Sequence, residues 1–339
     1  MRIENLEVAI NAPAKINLTL DIIGKRSDGY HNIESVFCAV SLCDSVQVRL
    51  CKGGGLDVNC RFVPLDNFSK AVKLDGFEFF IGVSETYPET ALAALSGNNL
   101  AKKAAEAFFS VTRIVNPGLE ITIEKRIPLS AGLGGGSSDA ANLLLGLNRL
   151  WGNPLNISEL VSVAAKLGSD VPFFIFGGTA LISGTGESVE SLPSLRHCCV
   201  LLVKNGLKRS TAAMYAKLDE QWTQDNGRLA VGNGEWRIES GQIHNNCPLP
   251  RTQVAVEALR TGNLTALCKS VGNAFAPLWE NSSVPHICRL LLENGARCAS
   301  LTGSGPTVFG LFDDRQAAKK CFDLMLAQSS DFVFLGEPM

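Results

Sequence analysis

The segment Pro128-Leu-Ser-Ala-Gly-Leu-Gly-Gly-Gly-Ser-Ser-Asp-Ala-Ala141 constrains this chain most, because it sits where one periodicity gives way to another. Before it, Leu119-Glu-Ile-Thr-Ile-Glu-Lys125 alternates apolar and polar residues, the period of a half-buried strand. After it, Ala140, Leu143, Leu144, Leu147 and Leu150 recur at helical spacing. A glycine-rich turn that feeds a helix is suited to an anion. Glycines let the backbone approach closely, the first-turn N–H groups are free, and the helix dipole favours negative charge there.

The spacing excludes two common phosphate loops. No Gly-Lys-[Ser/Thr] follows, so the lysine of the P-loop is missing. With Gly132 and Gly134 as the first two glycines of a dinucleotide fingerprint, Ser137 stands where the third belongs, which argues against a dehydrogenase. Composition narrows the partners further. The formal net charge is −2, with basic residues scattered, so there is no electrostatic footprint for nucleic acid or an anionic membrane. No apolar run reaches a membrane span, and no signal-peptide pattern opens the chain, so a cytoplasmic location is expected. The 11 cysteines contain no Cys-x-x-Cys pair and mostly sit in apolar runs, as buried reduced thiols do; with only 4 scattered histidines a zinc site is not expected.

The 339 residues are enough for two domains, divided here as 1–193 and 194–339. Strands are expected over 6–20, interrupted at Asn11-Ala-Pro13, and over 35–50. Residues 51–97 read as irregular. A helix over 98–111 is capped by Asn98 or Asn99, and another is capped by Ser158 and runs to Leu167. Pro172 reads as the end of helical character. In the second half come a strand (198–203), helices over 210–219, 251–271, 283–294 and 315–326, and a polar surface excursion over 220–250. The alternation implies an α+β fold with antiparallel sheets covered by helices on one side.

Three separated segments carry chemistry: Pro13-Ala-Lys-Ile-Asn-Leu18, the glycine loop, and Leu301-Thr-Gly-Ser-Gly-Pro306. Together they resemble the GHMP kinases, the small-molecule kinases of the galactose, homoserine, mevalonate and phosphomevalonate type. The similarity covers nearly the whole chain, and Pro128 to Ser138 matches the family's ATP loop. The resemblance implies a ribosomal-S5-domain-2-like N-terminal domain and a ferredoxin-like C-terminal domain, with ATP and Mg²⁺ as cofactors. Within the family, Ala14-Lys-Ile-Asn-Leu18, Asp28-Gly-Tyr-His31 and Leu167-Gly-Ser-Asp-Val-Pro-Phe-Phe174 resemble the branch whose acceptor is a cytidine-diphosphate-linked sugar alcohol. That branch phosphorylates the 2-hydroxyl of 4-diphosphocytidyl-2-C-methyl-D-erythritol in non-mevalonate isoprenoid synthesis.

Carried over residue by residue, the resemblance implies the following roles. Asp170 is the general base, where an aspartate before Val-Pro is otherwise an ordinary turn residue. Lys15 beside it favours the carboxylate and polarises the hydroxyl, where a strand lysine otherwise snorkels to water. Pro128, Leu129, Ser130, Ala131, Gly132, Leu133, Gly134, Gly135, Gly136, Ser137 and Ser138 hold ATP, with the two last serines offering hydroxyls to phosphate or Mg²⁺ and a side chain at Gly135 filling the phosphate's space. Which residues bind the metal directly stays open. Asn17, on the face of Lys15, presents a second donor. Tyr30 and His31 hold cytosine, with Tyr215 after Ser210-Thr211 forming the other side of the stack. Thr302, Gly303, Ser304 and Gly305 close the site with backbone donors. A monomer or weak homodimer is expected. The other readings are a different kinase of the same family, of homoserine or mevalonate type, or a non-catalytic nucleotide-binding regulator, against which Lys15 and Asp170 both count.

Overall fold

The computed structural model describes residues 7–51, 53–62, 70–74, 77–83, 99–206, 210–224, 237–239, 242–244, 251–328 and 331–339. Two long strands, β1 (Glu7–Lys25) and β2 (His31–Leu50), pair antiparallel over almost their whole length. β1 is unbroken at Asn11-Ala-Pro13, contrary to expectation. The register slips between Pro13 and Ala14 instead, a bulge where proline has no ladder N–H to give. β3 (Leu56–Phe62), β4 (Lys70–Leu74) and β5 (Phe77–Val83) fill much of the span read as irregular.

Next come α1 (Leu100–Thr112), β6 (Leu119–Lys125), α2 (Gly135–Leu150), α3 (Ile157–Leu167) and α4 (Val171–Phe176). Asn99 caps α1 through its side chain, and Asn98 lies outside the described residues. α3 starts earlier than expected. Asn156, not Ser158, is its N-cap, in a capping box with Glu159. Pro172 begins a helix rather than ending one, since at the first turn its missing N–H costs no bond.

β7 (Thr179–Gly184) and β8 (Ser188–Leu192) complete a seven-stranded sheet with β1, β2, β3, β6 and a short later strand. The rest of the chain gives β9 (Cys199–Lys204), α5 (Thr211–Gln224), β10 (Arg237–Glu239), β11 (Gln242–His244), α6 (Arg251–Thr261), α7 (Leu264–Ser270), β12 (Gly272–Asn273), a 3₁₀ turn at Ala276–Trp279, α8 (Val284–Glu293), β13 (Cys298–Leu301), β14 (Val308–Phe312), α9 (Arg315–Ala327) and β15 (Phe332–Gly336). The single helix expected over 251–271 is two. Gly262 takes φ +67° and Asn263 recaps the chain through its bond to the Ala266 N–H.

The second sheet runs β13-β14-β9-β15-β5-β4. Both sheets borrow across residue 193. β5, from the first half, pairs with β15, and β12, from the second half, pairs with β1. Apart from β1–β12 and β3–β6, which are parallel, the pairings are antiparallel.

Two cores matter for the site. One lies beneath α1, α2 and α3 against the first sheet and holds Phe108, Ile121, Leu143, Leu144 and Leu147. The other packs Ala14, Ile16 and Leu18 of β1 with Val36 and Val40 of β2, Ile127, Leu133, Val200, Leu202 and Phe309. Strand alternation does the rest. With Ile16 and Leu18 committed to this second core, Lys15 and Asn17 must face the other way. Of the described cysteines, ten are free thiols, and burial raises those at 38, 198, 288 and 321 above the ordinary value. No helix among the described residues is long and apolar enough to cross a membrane.

Candidate active site

Lys15 is 3 % exposed and its ammonium has three neighbours. Nζ donates to Asn17 Oδ1 at 2.7 Å, lies 3.5 Å from Asp170 Oδ2, and sits 4.2 Å from the centre of the Phe37 ring. A strand lysine that snorkels would reach water; this one is held inside by a hydrogen bond, an ion pair and a π face. Burial pushes its pKa below the ordinary lysine value of 10.5, and Asp170 opposes that push. Asp170 stands at the N-cap position of α4 but its side chain makes no capping bond. Its carboxylate is therefore not spent on the helix, and at 34 % exposure it is open to a substrate.

Asn17 departs from expectation. It is fully buried, and its amide is used entirely within the protein. Oδ1 accepts from Lys15, from Thr302 Oγ1 at 3.2 Å and from the Gly303 N–H at 2.8 Å; Nδ2 donates to Ser35 Oγ at 3.0 Å. Its own N–H donates to Thr302 Oγ1 at 2.9 Å. Asn17 is a clasp joining the first and third motifs, not a donor held out to a ligand. Replacing it with alanine orphans several buried donors, each costing about 1–3 kcal/mol. The expected result for Asn17→Ala is a large loss of stability in urea unfolding, together with lost activity.

The glycine loop docks on the same strand, since the Lys15 N–H donates to the Leu133 carbonyl at 3.0 Å. Two of its glycines are required by conformation and space together. Gly132 has φ +81°, and a Cβ there would come within 2.5 Å of the Thr302 carbonyl. Gly134 has φ +72°, and its Cβ would strike the Phe174 ring and Lys15 Cγ. The glycines allow the glycine loop, the lysine and the Thr302 turn to close on one another. Gly134 is the N-cap of α2 and no side chain caps it, which leaves the first-turn N–H groups uncovered by side chains.

Two expectations about this loop need correction. Gly135 does not have positive φ, and its missing Cβ faces inward, 3.0 Å from Ile127 Cγ2, so a side chain there meets the core and not a phosphate. The open position is Gly136, where a Cβ would meet only Leu100 within 4 Å among the described residues outside its own helix. The two serines also differ. Ser138 is buried, with Asn142 bonded to its hydroxyl and its carbonyl, whereas Ser137 is half-exposed. The Thr302 turn similarly spends donors internally: the Gly303 N–H goes to Asn17 and the Gly305 N–H to the Thr302 carbonyl at 3.0 Å. Ser304 is buried, its hydroxyl 3.3 Å from Thr211 Oγ1.

On the other side of Asp170, His31 and Tyr215 come together. Their rings stack at 4.8 Å between centroids and 21° between planes, and Tyr215 meets Phe275 edge-on. The two rings therefore touch each other and leave no slot for a base between them. Tyr30, 64 % exposed, stands apart on the 26–30 turn and does not join that stack. Burial pushes the Tyr215 phenol up to about 12, with the Asp170 charge adding to it, so the aromatic patch adjoins the carboxylate.

Several contributors had no sequence signal. Asp219 on α5 accepts from, or pairs with, His31 Nε2 at 2.7 Å and binds Lys25 at 2.7 Å. Phe37 lies under the Lys15 ammonium. Asn273 donates to the carbonyls of Leu301 at 2.9 Å and Gly303 at 2.8 Å, fixing the third motif. Among the described residues no group of three or more His, Cys, Asp or Glu could hold a metal ion.

Comparison with known proteins fits this geometry. The GHMP kinase N-terminal domain matches residues 99–178, and the GHMP kinase C-terminal domain matches residues 255–327. A 4-diphosphocytidyl-2-C-methyl-D-erythritol kinase of Listeria monocytogenes is 34 % identical over 322 residues, covering 94 % of this chain and 91 % of that protein. The chain belongs to the GHMP kinase family. Proteins of the same name from Brevibacillus brevis and Clostridium tetani are also 34 % identical, the latter over 95 % of this chain and 97 % of its own. A crystal structure of 4-(cytidine 5'-diphospho)-2C-methyl-D-erythritol kinase superposes with a TM-score of 0.65 at 26 % identity, over 98 % of this chain and all of that one. Homoserine kinase from Cytophaga hutchinsonii, 17 % identical, shares the fold at a TM-score of 0.64. This GHMP kinase is thus an ATP-dependent small-molecule kinase with the expected two-part α+β architecture.

Proposed function

We propose that this kinase transfers the γ-phosphoryl group of ATP to the 2-hydroxyl of 4-diphosphocytidyl-2-C-methyl-D-erythritol, giving the 2-phosphate and ADP. The observation that supports it most is the similarity, over nearly the full chain, to relatives that carry this activity in their names. The triphosphate lies at the N-terminus of α2, against the uncapped first-turn N–H groups and the positive end of the helix dipole. Asp170 takes the proton of the attacking hydroxyl. Lys15, buried and 3.5 Å from that carboxylate, stabilises charge on the phosphoryl oxygens. Ser137, half-exposed in the first turn of α2, is the hydroxyl that would be offered to Mg²⁺ bound with the nucleotide. When bound, that ion would neutralise phosphate charge.

Lys15 gives the reaction an alkaline limit. Its folded pKa is lowered, so its charge is lost as pH rises through a value below 10.5. A pH–rate profile should fall on its alkaline side below that value. In Asp170→Asn the fall moves to lower pH, because the carboxylate that props up the ammonium is gone. A limb that stays put in that variant would detach it from Lys15.

The cytidine half of the acceptor is a handle remote from the reacting hydroxyl, whose binding energy positions the alcohol. An Nε2–H donated to Asp219 would leave His31 Nδ1 as an acceptor, matched to the exocyclic amine of cytosine and mismatched to the carbonyl of uracil. Tyr30, exposed nearby, stacks on the base. The test is the Michaelis parameters of the cytidine and uridine forms. Wild type should prefer cytidine by an amount worth about 1–3 kcal/mol. His31→Ala should narrow that preference, and Tyr30→Ala should weaken both forms alike. Equal use of both forms by wild type would remove cytosine recognition from the site.

A further inference from the structure

Beneath the glycine loop lies a buried ion cluster that the phosphoryl transfer does not use. Lys125 ends β6, Asp44 lies in β2 and Asp139 is in the second turn of α2; all three are buried. Lys125 Nζ donates to Asp139 Oδ2 at 2.6 Å and ion-pairs with Asp44 Oδ2. The other oxygen of Asp44 accepts the backbone N–H groups of Arg126 at 2.5 Å and Ile127 at 2.8 Å. These are the residues that enter the loop, and Asp139 follows directly on its exit. Gly135 lies over the cluster, for a Cβ there would stand 3.4 Å from Lys125 Nζ.

Stability alone is a poor reason for this arrangement. Removing three charged groups from water is costly, and apolar replacements of similar size are often neutral or stabilising. The cost shows here: burial pushes the Asp139 carboxyl up to about 7 against the pull of Lys125, and Asp139 Oδ1 is buried with no hydrogen-bond partner among the described residues. What an apolar cluster cannot do is fix both ends of a glycine-rich loop by directional bonds. We propose that Asp44, Lys125 and Asp139 are positioning residues for ATP, a tripod that sets the distance between the two ends of the loop and so the direction of its N–H groups. This rests on the reading that the loop holds the nucleotide.

The test separates the two ideas. Gly136→Val places a side chain on the open side of the loop, and loss of ATP binding by calorimetry shows that the loop is the nucleotide site. Asp139→Asn, Asp44→Asn and the double variant Lys125→Met/Asp139→Leu, which leaves Asp44 on its two backbone donors, are then compared. The double variant keeps the interior filled if a single change fails to fold. The expected result is a fall in kcat/KM for ATP of roughly 10- to 100-fold, as for a misplaced reactant, with KM for the alcohol unchanged and no matching loss of unfolding free energy. Unchanged ATP parameters in the folded variants, with ATP binding abolished in Gly136→Val, would overturn the tripod alone. ATP binding retained in Gly136→Val would overturn the nucleotide site itself.

Discussion

Asp170→Asn is expected to bind both substrates and to turn over about 10²–10⁴ times more slowly, the usual contribution of a general base. The substitution keeps the shape and removes only the proton acceptor. Because Asp170 makes no capping bond to α4, the helix loses nothing by the change. What it does lose is the partner 3.5 Å from a buried ammonium, so Lys15 is pushed further toward its neutral form. Two effects thus act on one step, and neither touches the glycine loop. Rapid-quench turnover with calorimetric binding of each substrate distinguishes them. Near-normal turnover in a folded Asp170→Asn protein would return this residue to a turn aspartate.

The second large effect comes from adjacent glycines that differ in direction. Gly135→Val should unsettle the fold, since even the first carbon added meets Ile127 at 3.0 Å and Lys125 Nζ at 3.4 Å. Gly136→Val has open space on the protein side and should fold normally, yet weaken ATP at least about tenfold, a cost of about 1.4 kcal/mol. Thermal melts and nucleotide titrations of the pair check this. Equal melting temperatures, or stronger nucleotide loss at 135 than at 136 without destabilisation, would reverse the assignment of inward and outward faces.

The parts of the site legible in the sequence were those in which a local pattern and a chemical need coincide. The glycine run between a period-2 segment and a helical one located the loop. Lys15 and Asp170, 155 positions apart by their numbers, were paired through the family resemblance, and they stand 3.5 Å apart. The illegible parts depend on direction and on long-range partners. Asn17 shares a strand face with Lys15, as its spacing required, but the Thr302 turn covers that face and turns the amide into a clasp. Gly135 and Gly136 are the same letter with opposite surroundings. His31 and Tyr215 were both expected near the base, yet their mutual stacking and the Asp219 anchor depend on where α5 packs. Asp44, Lys125 and Asp139 lie on two strands and a helix, and no local pattern in the sequence joins them. In the fold, a proline such as Pro172 can close one helix or open the next, and only the cap geometry decides; here it opens α4. The strand over 77–83 has no local signal because β5 pairs with β15, some 250 residues later in the chain.

The acceptor is decided most directly by following ADP formation by purified protein with Mg-ATP and each of four alcohols in turn: 4-diphosphocytidyl-2-C-methyl-D-erythritol, mevalonate, homoserine and galactose. The expected result is rapid, stoichiometric ADP release with the diphosphocytidyl compound, its phosphate on the 2-oxygen, and background rates with the other three. Faster turnover of any of those three would contradict the proposed acceptor, and background rates with all four would contradict the assignment of Lys15 and Asp170 to this phosphoryl transfer.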